Sequence, residues 1–153
     1  MSEHIEDIGL LNCIFNEYGL EPVKANEYSP LSLAFIGDSV YGLVVKSVVI
    51  LRGNCPANQL NKLTTAYVKA VNQAKAVEYF IDNNVLSEEE QSIVRRGRNA
   101  KSTSVAKNAS VGEYRMATGL EALMGYLYLK CQTDRMVELT RIGMDYIDSL
   151  MKG

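Results

Sequence analysis

Apolar residues recur along most of the chain at three- and four-residue spacing, without sustained two-residue alternation, and this pattern predicts helices. The stretch EDIGLLNCIFNEYG predicts a first helix of about thirteen residues, closed by Gly19 as a C-terminal cap. Ser29 followed by Pro30 marks the start of a long helix running to about Arg52, with Gly53 ending it. The β-branched residues of VYGLVVKSVVIL argue for a strand there, but a run from Pro30 to Leu51 without a turn signal is too long for one. Cys55 and Pro56 open another helical region, NQLNKLTTAYVKAV, and Asn72 is a candidate cap for QAKAVEYFIDNN. Ser87 with Glu90, and Ser110 with Glu113, have the spacing of capping boxes at two further helix starts. Gly97 is expected to end the first of these, RNAKSTSVAKNAS reads as an exposed loop, and a final amphipathic helix covers roughly Asp134 to Met151. Six or seven helices and no convincing strand give an all-α domain.

Within this pattern two carboxylates stand alone in apolar helical stretches. Asp38, in LSLAFIGDSVYGLVV, is the only charged residue between Glu27 and Lys46, and Glu121, in MATGLEALMGYLYL, is the only one between Arg115 and Lys130. Removing a bare carboxylate from water costs several kcal/mol or more unless a cation compensates it. The pair therefore predicts one metal site between two packed helices. Gly37, Gly42, Gly119 and Gly125 lie in the same segments and are expected to allow close helix contact there, with Gly37 and Gly119 letting the carboxylates converge. The competing reading is that each carboxylate forms a structural ion pair. Phe35, Tyr41, Tyr126 and Tyr128 are expected in core or interface positions.

Composition adds limits. With 153 residues, 47% of them hydrophobic, and no Gly/Ser-rich or Pro-rich linker, the chain reads as a single domain over 1–153, its motif-bearing core at about 29–130. The longest apolar run, Leu33 to Leu51, is interrupted by Asp38 and Lys46, and MSEHIEDIGL lacks a basic leader, so a cytoplasmic protein with no membrane partner is expected. Cys13, Cys55 and Cys131 fit neither a disulfide framework nor a CxxC metal site and read as reduced packing residues. The only histidine is His4, which disfavours a histidine-based nuclease mechanism. A net charge of −2 hides a local patch: from Gln91 to Gly112 there is no acid, while Arg95, Arg96, Arg98, Lys101 and Lys107 all fall in that span.

AFIGDSVYGLVV, NKLTTAYVKAVN and TGLEALMGYLYL, in this order and separation, resemble the catalytic domain of the ribonuclease III family, most of all its short bacterial form without a double-stranded-RNA-binding domain. The resemblance covers about Leu31 to Leu129. It implies an all-α homodimer that cleaves double-stranded RNA with Mg²⁺, for which Mn²⁺ could substitute, in processing of the ribosomal RNA precursor (23S). A ribosomal protein or particle is a further partner to expect. By motif position Asp38 and Glu121 are the implied catalytic and metal-binding residues, and Arg95, Arg96, Arg98, Lys101 and Lys107 the implied RNA contacts. Many family members carry two further acids where this chain has Ala34 and Thr118, leaving more of an Mg²⁺ shell to water and phosphate and a second metal in doubt. The roles of Lys62, Thr64, Tyr67, Tyr114 and Arg115 stay open. The alternatives are a catalytically weak RNA-binding assembly factor of the same fold and, further off, a helical adaptor for acidic proteins.

Overall fold

A computed structural model of the chain describes residues 9–21, 24–100 and 109–152. Among these residues there are seven α-helices and one 3-10 turn, Ala25–Glu27, and no strand. The helices are α1 (Leu10–Tyr18), α2 (Pro30–Arg52), α3 (Ala57–Val68), α4 (Ala70–Asp82), α5 (Glu88–Asn99), α6 (Val111–Leu129) and α7 (Thr133–Met151).

The start signals act as their chemistry predicts. Ser29 Oγ accepts from the Ser32 amide at 3.2 Å, with Pro30 in the first turn of α2. Both capping boxes form: Ser87 N to Glu90 and Ser110 N to Glu113, at 2.9 and 3.0 Å, with the reciprocal serine bonds in place. Gly19 closes α1 in the left-handed region at φ 63°. Two expectations shift. Asn72 lies inside the first turn of α4, and its side-chain amide donates back to the Ala66 carbonyl at 2.6 Å, fastening the α3–α4 corner. Gly97 does not end α5, which runs on to Asn99.

The long helix α6 is the axis of the domain. From Ala117 to Leu127 every residue but Glu121 is buried, with α2, α4, α5 and α7 packed around it. Glycine makes two of these crossings possible. A Cβ on Gly37 would lie 1.7 Å from the Glu121 carbonyl oxygen, and one on Gly125 would lie 2.0 Å from that of Leu33. α2 and α6 therefore meet backbone to backbone. Gly97 and Gly119 do the same between α5 and α6, where a Cβ on Gly119 would sit 2.8 Å from the Val94 carbonyl oxygen. Gly119 thus serves the α5 contact, not the convergence of the carboxylates, and Gly42 has nothing within 4 Å of where its Cβ would be.

At the other end of the bundle, Arg135 of α7 grips the buried Glu90 with Nε and Nη2, both at 2.8 Å, while Nη2 also donates to the Val85 carbonyl at 2.7 Å. This forked pair satisfies a buried carboxylate that would otherwise be costly. Glu90 is desolvated, yet Arg135 and the Ser87 amide hold its carboxyl below the ordinary glutamate value. No disulfide joins the cysteines, and Cys13 and Cys131 are exposed and Cys55 partly covered, so they are not the packing residues expected.

The crossing yields a test. Gly37→Ala has no side-chain neighbour that could move aside, only backbone, and should lose upwards of about 3 kcal/mol of stability or fail to fold. Urea unfolding of the variant within about 1 kcal/mol of wild type would refute this close approach.

Candidate active site

Asp38 leaves α2 immediately after Gly37, and Glu121 leaves α6 at the residue whose carbonyl Gly37 approaches. The absent Cβ therefore sets both carboxylates at the same crossing. Their environments differ from the expectation of two buried charges: Asp38 is exposed and Glu121 half-buried, so the pair forms a floor open to solvent. Burial and the Asp38 carboxylate, which shares a hydrogen bond with it, push the Glu121 carboxyl up to about 9. No arginine or lysine forms an ion pair with Asp38 or Glu121 among the described residues, so the structural ion-pair reading fails.

The positions one turn before each acid add no donor. Ala34 is buried, and the Thr118 hydroxyl, also buried, donates to the Tyr114 carbonyl at 3.0 Å. Among the described residues no three His, Cys, Asp or Glu side chains cluster as a metal site. The donor set at the crossing is thus two carboxylates. Mutual repulsion of paired acids suits a divalent cation, and an open floor leaves room for the waters that a hard ion such as Mg²⁺ retains.

Tyr41, on the α2 turn after Asp38, is a neighbour that the sequence left as core. It is 2% exposed, and its hydroxyl donates to the Tyr67 carbonyl at 2.8 Å. Burial, then Tyr67 and Glu121, raise its pKa, keeping it a neutral phenol beside the site. Tyr67 in turn donates to Asp148 of α7 and accepts from Arg52 Nη1 at 3.1 Å, so the α2 face bearing Asp38 is tied to α3 and α7. Thr64 and Tyr67 are buried, which makes them structural, whereas Lys62 and Arg115 are exposed. Such a role for Tyr41 has no signal in composition, since a tyrosine in an apolar run reads as packing.

Arg95, Arg96 and Arg98 are all exposed on α5. The Gly97–Gly119 contact holds that helix against α6 near Glu121. Arg95 and Arg96 line an open cleft of about 450 Å³ with Ser29, Pro30, Ser92 and Asn99, and Arg96 Nη2 donates to the Tyr28 carbonyl at 3.3 Å. Lys101 and Lys107, expected beside them, lie outside the described residues.

The sequence profile of the Ribonuclease III domain matches residues 31–132, a span that contains both acids and the basic helix. The chain belongs to the ribonuclease III family. A Mini-ribonuclease 3 of a Thermoanaerobacter species is 48% identical over 120 residues, 78% of this chain and 83% of the relative. The Mini-ribonuclease 3 of Enterococcus faecalis is 43% identical over 109 residues, 71% of this chain and 83% of that protein. A crystal structure of a Fusobacterium nucleatum protein superposes with a TM-score of 0.69 at 32% identity, covering 78% of this chain and 93% of that one. This ribonuclease III family member is an endoribonuclease, and its all-α fold is the one expected from its helical pattern.

The raised Glu121 carboxyl gives a pH test of the metal-free protein. An acid whose pKa is higher folded than unfolded binds more protons in the folded state, so stability falls as pH rises between the two values. The melting temperature in EDTA should decline from about pH 5 toward pH 9, with Asp38→Asn flattening the decline. Glu89 and Glu90, whose values are lowered, act in the opposite sense and only at more acid pH. An Asp38→Asn profile parallel to wild type across that range would refute the coupling of the two acids.

Proposed function

We propose that this enzyme hydrolyses phosphodiester bonds of double-stranded RNA with a divalent cation, Mg²⁺ or in its place Mn²⁺, held by Asp38 and Glu121. The observation that carries the reading is the convergence of these two unpaired carboxylates at a solvent-open crossing, beside a helix that exposes three arginines. The ion would supply an activated water and neutralise the charge that develops on the phosphate. Asp38 and Glu121 hold and orient it, which requires Glu121 to give up its proton. Arg95, Arg96 and Arg98 meet phosphates along the duplex, the mode in which double-stranded RNA is bound by shape and backbone. Lys101 and Lys107 belong to the same basic segment of the sequence.

The acting unit in this proposal is a homodimer, each copy cutting one strand. Phe35 is 81% exposed and Leu43 56% exposed on the outer face of α2. A neighbouring groove of about 690 Å³ between α1, α2 and the α6–α7 corner has no charged residue in its lining. An apolar surface of this kind suits a second copy. The substrate we propose is ribosomal RNA precursor (23S), processed in the cytoplasm, with a ribosomal protein or particle presenting it; this part rests on the resemblance to the short bacterial form. The internal bond of Thr118 and the burial of Ala34 favour one alternative, a weakly catalytic RNA-binding assembly factor, because neither position helps to hold an ion.

Cleavage of structured precursor RNA separates the two. Wild type should give discrete products that require Mg²⁺ and vanish in EDTA, and Asp38→Asn should slow cleavage at least about a hundredfold while duplex binding persists. Intact RNA in every lane, with binding retained, would leave the assembly factor as the better account. Separately, replacing Arg95 and Arg96 by Ala should weaken duplex binding and reduce the magnitude of the slope of log K against log salt by about four, two for each subunit of the dimer. An unchanged slope would remove these arginines from the interface.

A further inference from the structure

The inference concerns Lys46 and rests on the homodimer reading. Six residues of α2 make up the centre of its outward face: Phe35, Asp38, Ser39, Gly42, Leu43 and Lys46. Gly42 is the middle of that face, four residues after Asp38 and four before Lys46. Unlike Gly37, Gly97, Gly119 and Gly125, it has nothing within 4 Å of where its Cβ would be, so no contact inside the subunit accounts for a glycine that weakens the helix. A second helix laid across α2 at this point does account for it, since glycine lets two backbones approach closely.

A two-fold contact pairs identical surfaces. If two α2 helices cross antiparallel at Gly42, each residue faces the one equally far beyond the glycine, which sets Asp38 of one copy opposite Lys46 of the other. The charges on this face are then complementary across the axis. Lys46 is exposed and has no acid within ion-pairing distance among the described residues. Within its own subunit it stands about 12 Å along α2 from Asp38, too far to serve the same site, whereas crossed helices lie roughly 8–10 Å apart with side chains reaching between them.

We propose that the outward face of α2 docks on a second copy centred on Gly42, and that Lys46 of the partner subunit reaches over the Asp38–Glu121 site to bind the RNA phosphate there. The site holds only two carboxylates, and a lysine from across the axis supplies a cation to the non-bridging phosphate oxygens. Each subunit would then depend on its partner for part of the site.

Differently tagged chains, co-expressed and purified through both tags, test this by nicking of a duplex RNA in Mg²⁺. A heterodimer of one Asp38→Asn chain and one Lys46→Ala chain keeps one whole site and should nick at about half the wild-type rate. A heterodimer of wild type with the Asp38→Asn, Lys46→Ala double variant loses both and should nick at least about tenfold more slowly than that. The reverse order, or equal rates, overturns the role of Lys46 across the interface while leaving the homodimer standing. Failure to recover any heterodimer, with wild type sedimenting as a monomer, overturns the homodimer itself. Gly42→Leu, whose Cβ has open space in the subunit, should keep the wild-type helix content by circular dichroism yet sediment as a monomer; a dimer would overturn the crossing at Gly42.

Discussion

The domain depends on one backbone-to-backbone contact, where α2 crosses α6 at Gly37 and Gly125. A Cβ on either glycine would lie 2.0 Å or less from a carbonyl oxygen of the facing helix. That proximity has two results at once. It lets the most apolar segment of α6 sink between four other helices, and it brings a carboxylate from each helix to the same spot. Any side chain at these positions would push the helices apart, opening the core and separating Asp38 from Glu121 in the same movement. Packing and chemistry share a single geometric condition.

Two acids held together without a cation oppose folding, because the charge on one resists ionisation of the other and Glu121 is half removed from water. The rest of the fold has to tolerate that local conflict. The Glu90–Arg135 fork ties the start of α5 to α7, the capping boxes fix the starts of α5 and α6, and the Tyr41–Tyr67–Asp148 chain ties α2 to α3 and α7. These interactions stand around the crossing, not in it. A cation held as proposed between the acids would remove the conflict, so its binding would be linked to folding.

Helix starts were legible because caps are local: a serine, a proline and a glutamate at fixed offsets carry their own hydrogen bonds, and Ser29, Ser87 and Ser110 do in the fold what their spacing predicts. Glycines were not, because a glycine inside a helix reports a neighbour without naming it. Gly37 and Gly125 do mark the crossing of α2 and α6, whereas Gly119 answers Val94 of α5 and Gly97 continues a helix it was expected to end. Asn72 misled for a related reason, since its amide caps the preceding helix, not its own. The lone acids were readable as a pair, but their exposure was not, because apolar flanking sequence gives no hint of which side of a helix faces outward. Tyr41 shows the same limit from the other side, an apolar-run residue whose hydroxyl proves to be the useful part.

α2 shows why those readings diverge. By length and composition it could cross a membrane, yet one third of its most apolar window is buried in the subunit. A helix that only served the core would be polar on its outer face. This one instead exposes Phe35, Leu43 and Ile50 outward and interrupts them with Asp38, Ser39 and Lys46. Core packing accounts for Leu33, Val45 and Val49, and the site accounts for Gly37 and Asp38, but neither accounts for exposed apolar side chains flanking a glycine that touches nothing. A helix apolar on both sides has two surfaces to cover. The fold of one subunit covers the first and leaves the second, with Asp38 at its margin, uncovered, so in the proposed homodimer assembly and chemistry would meet on one helix face.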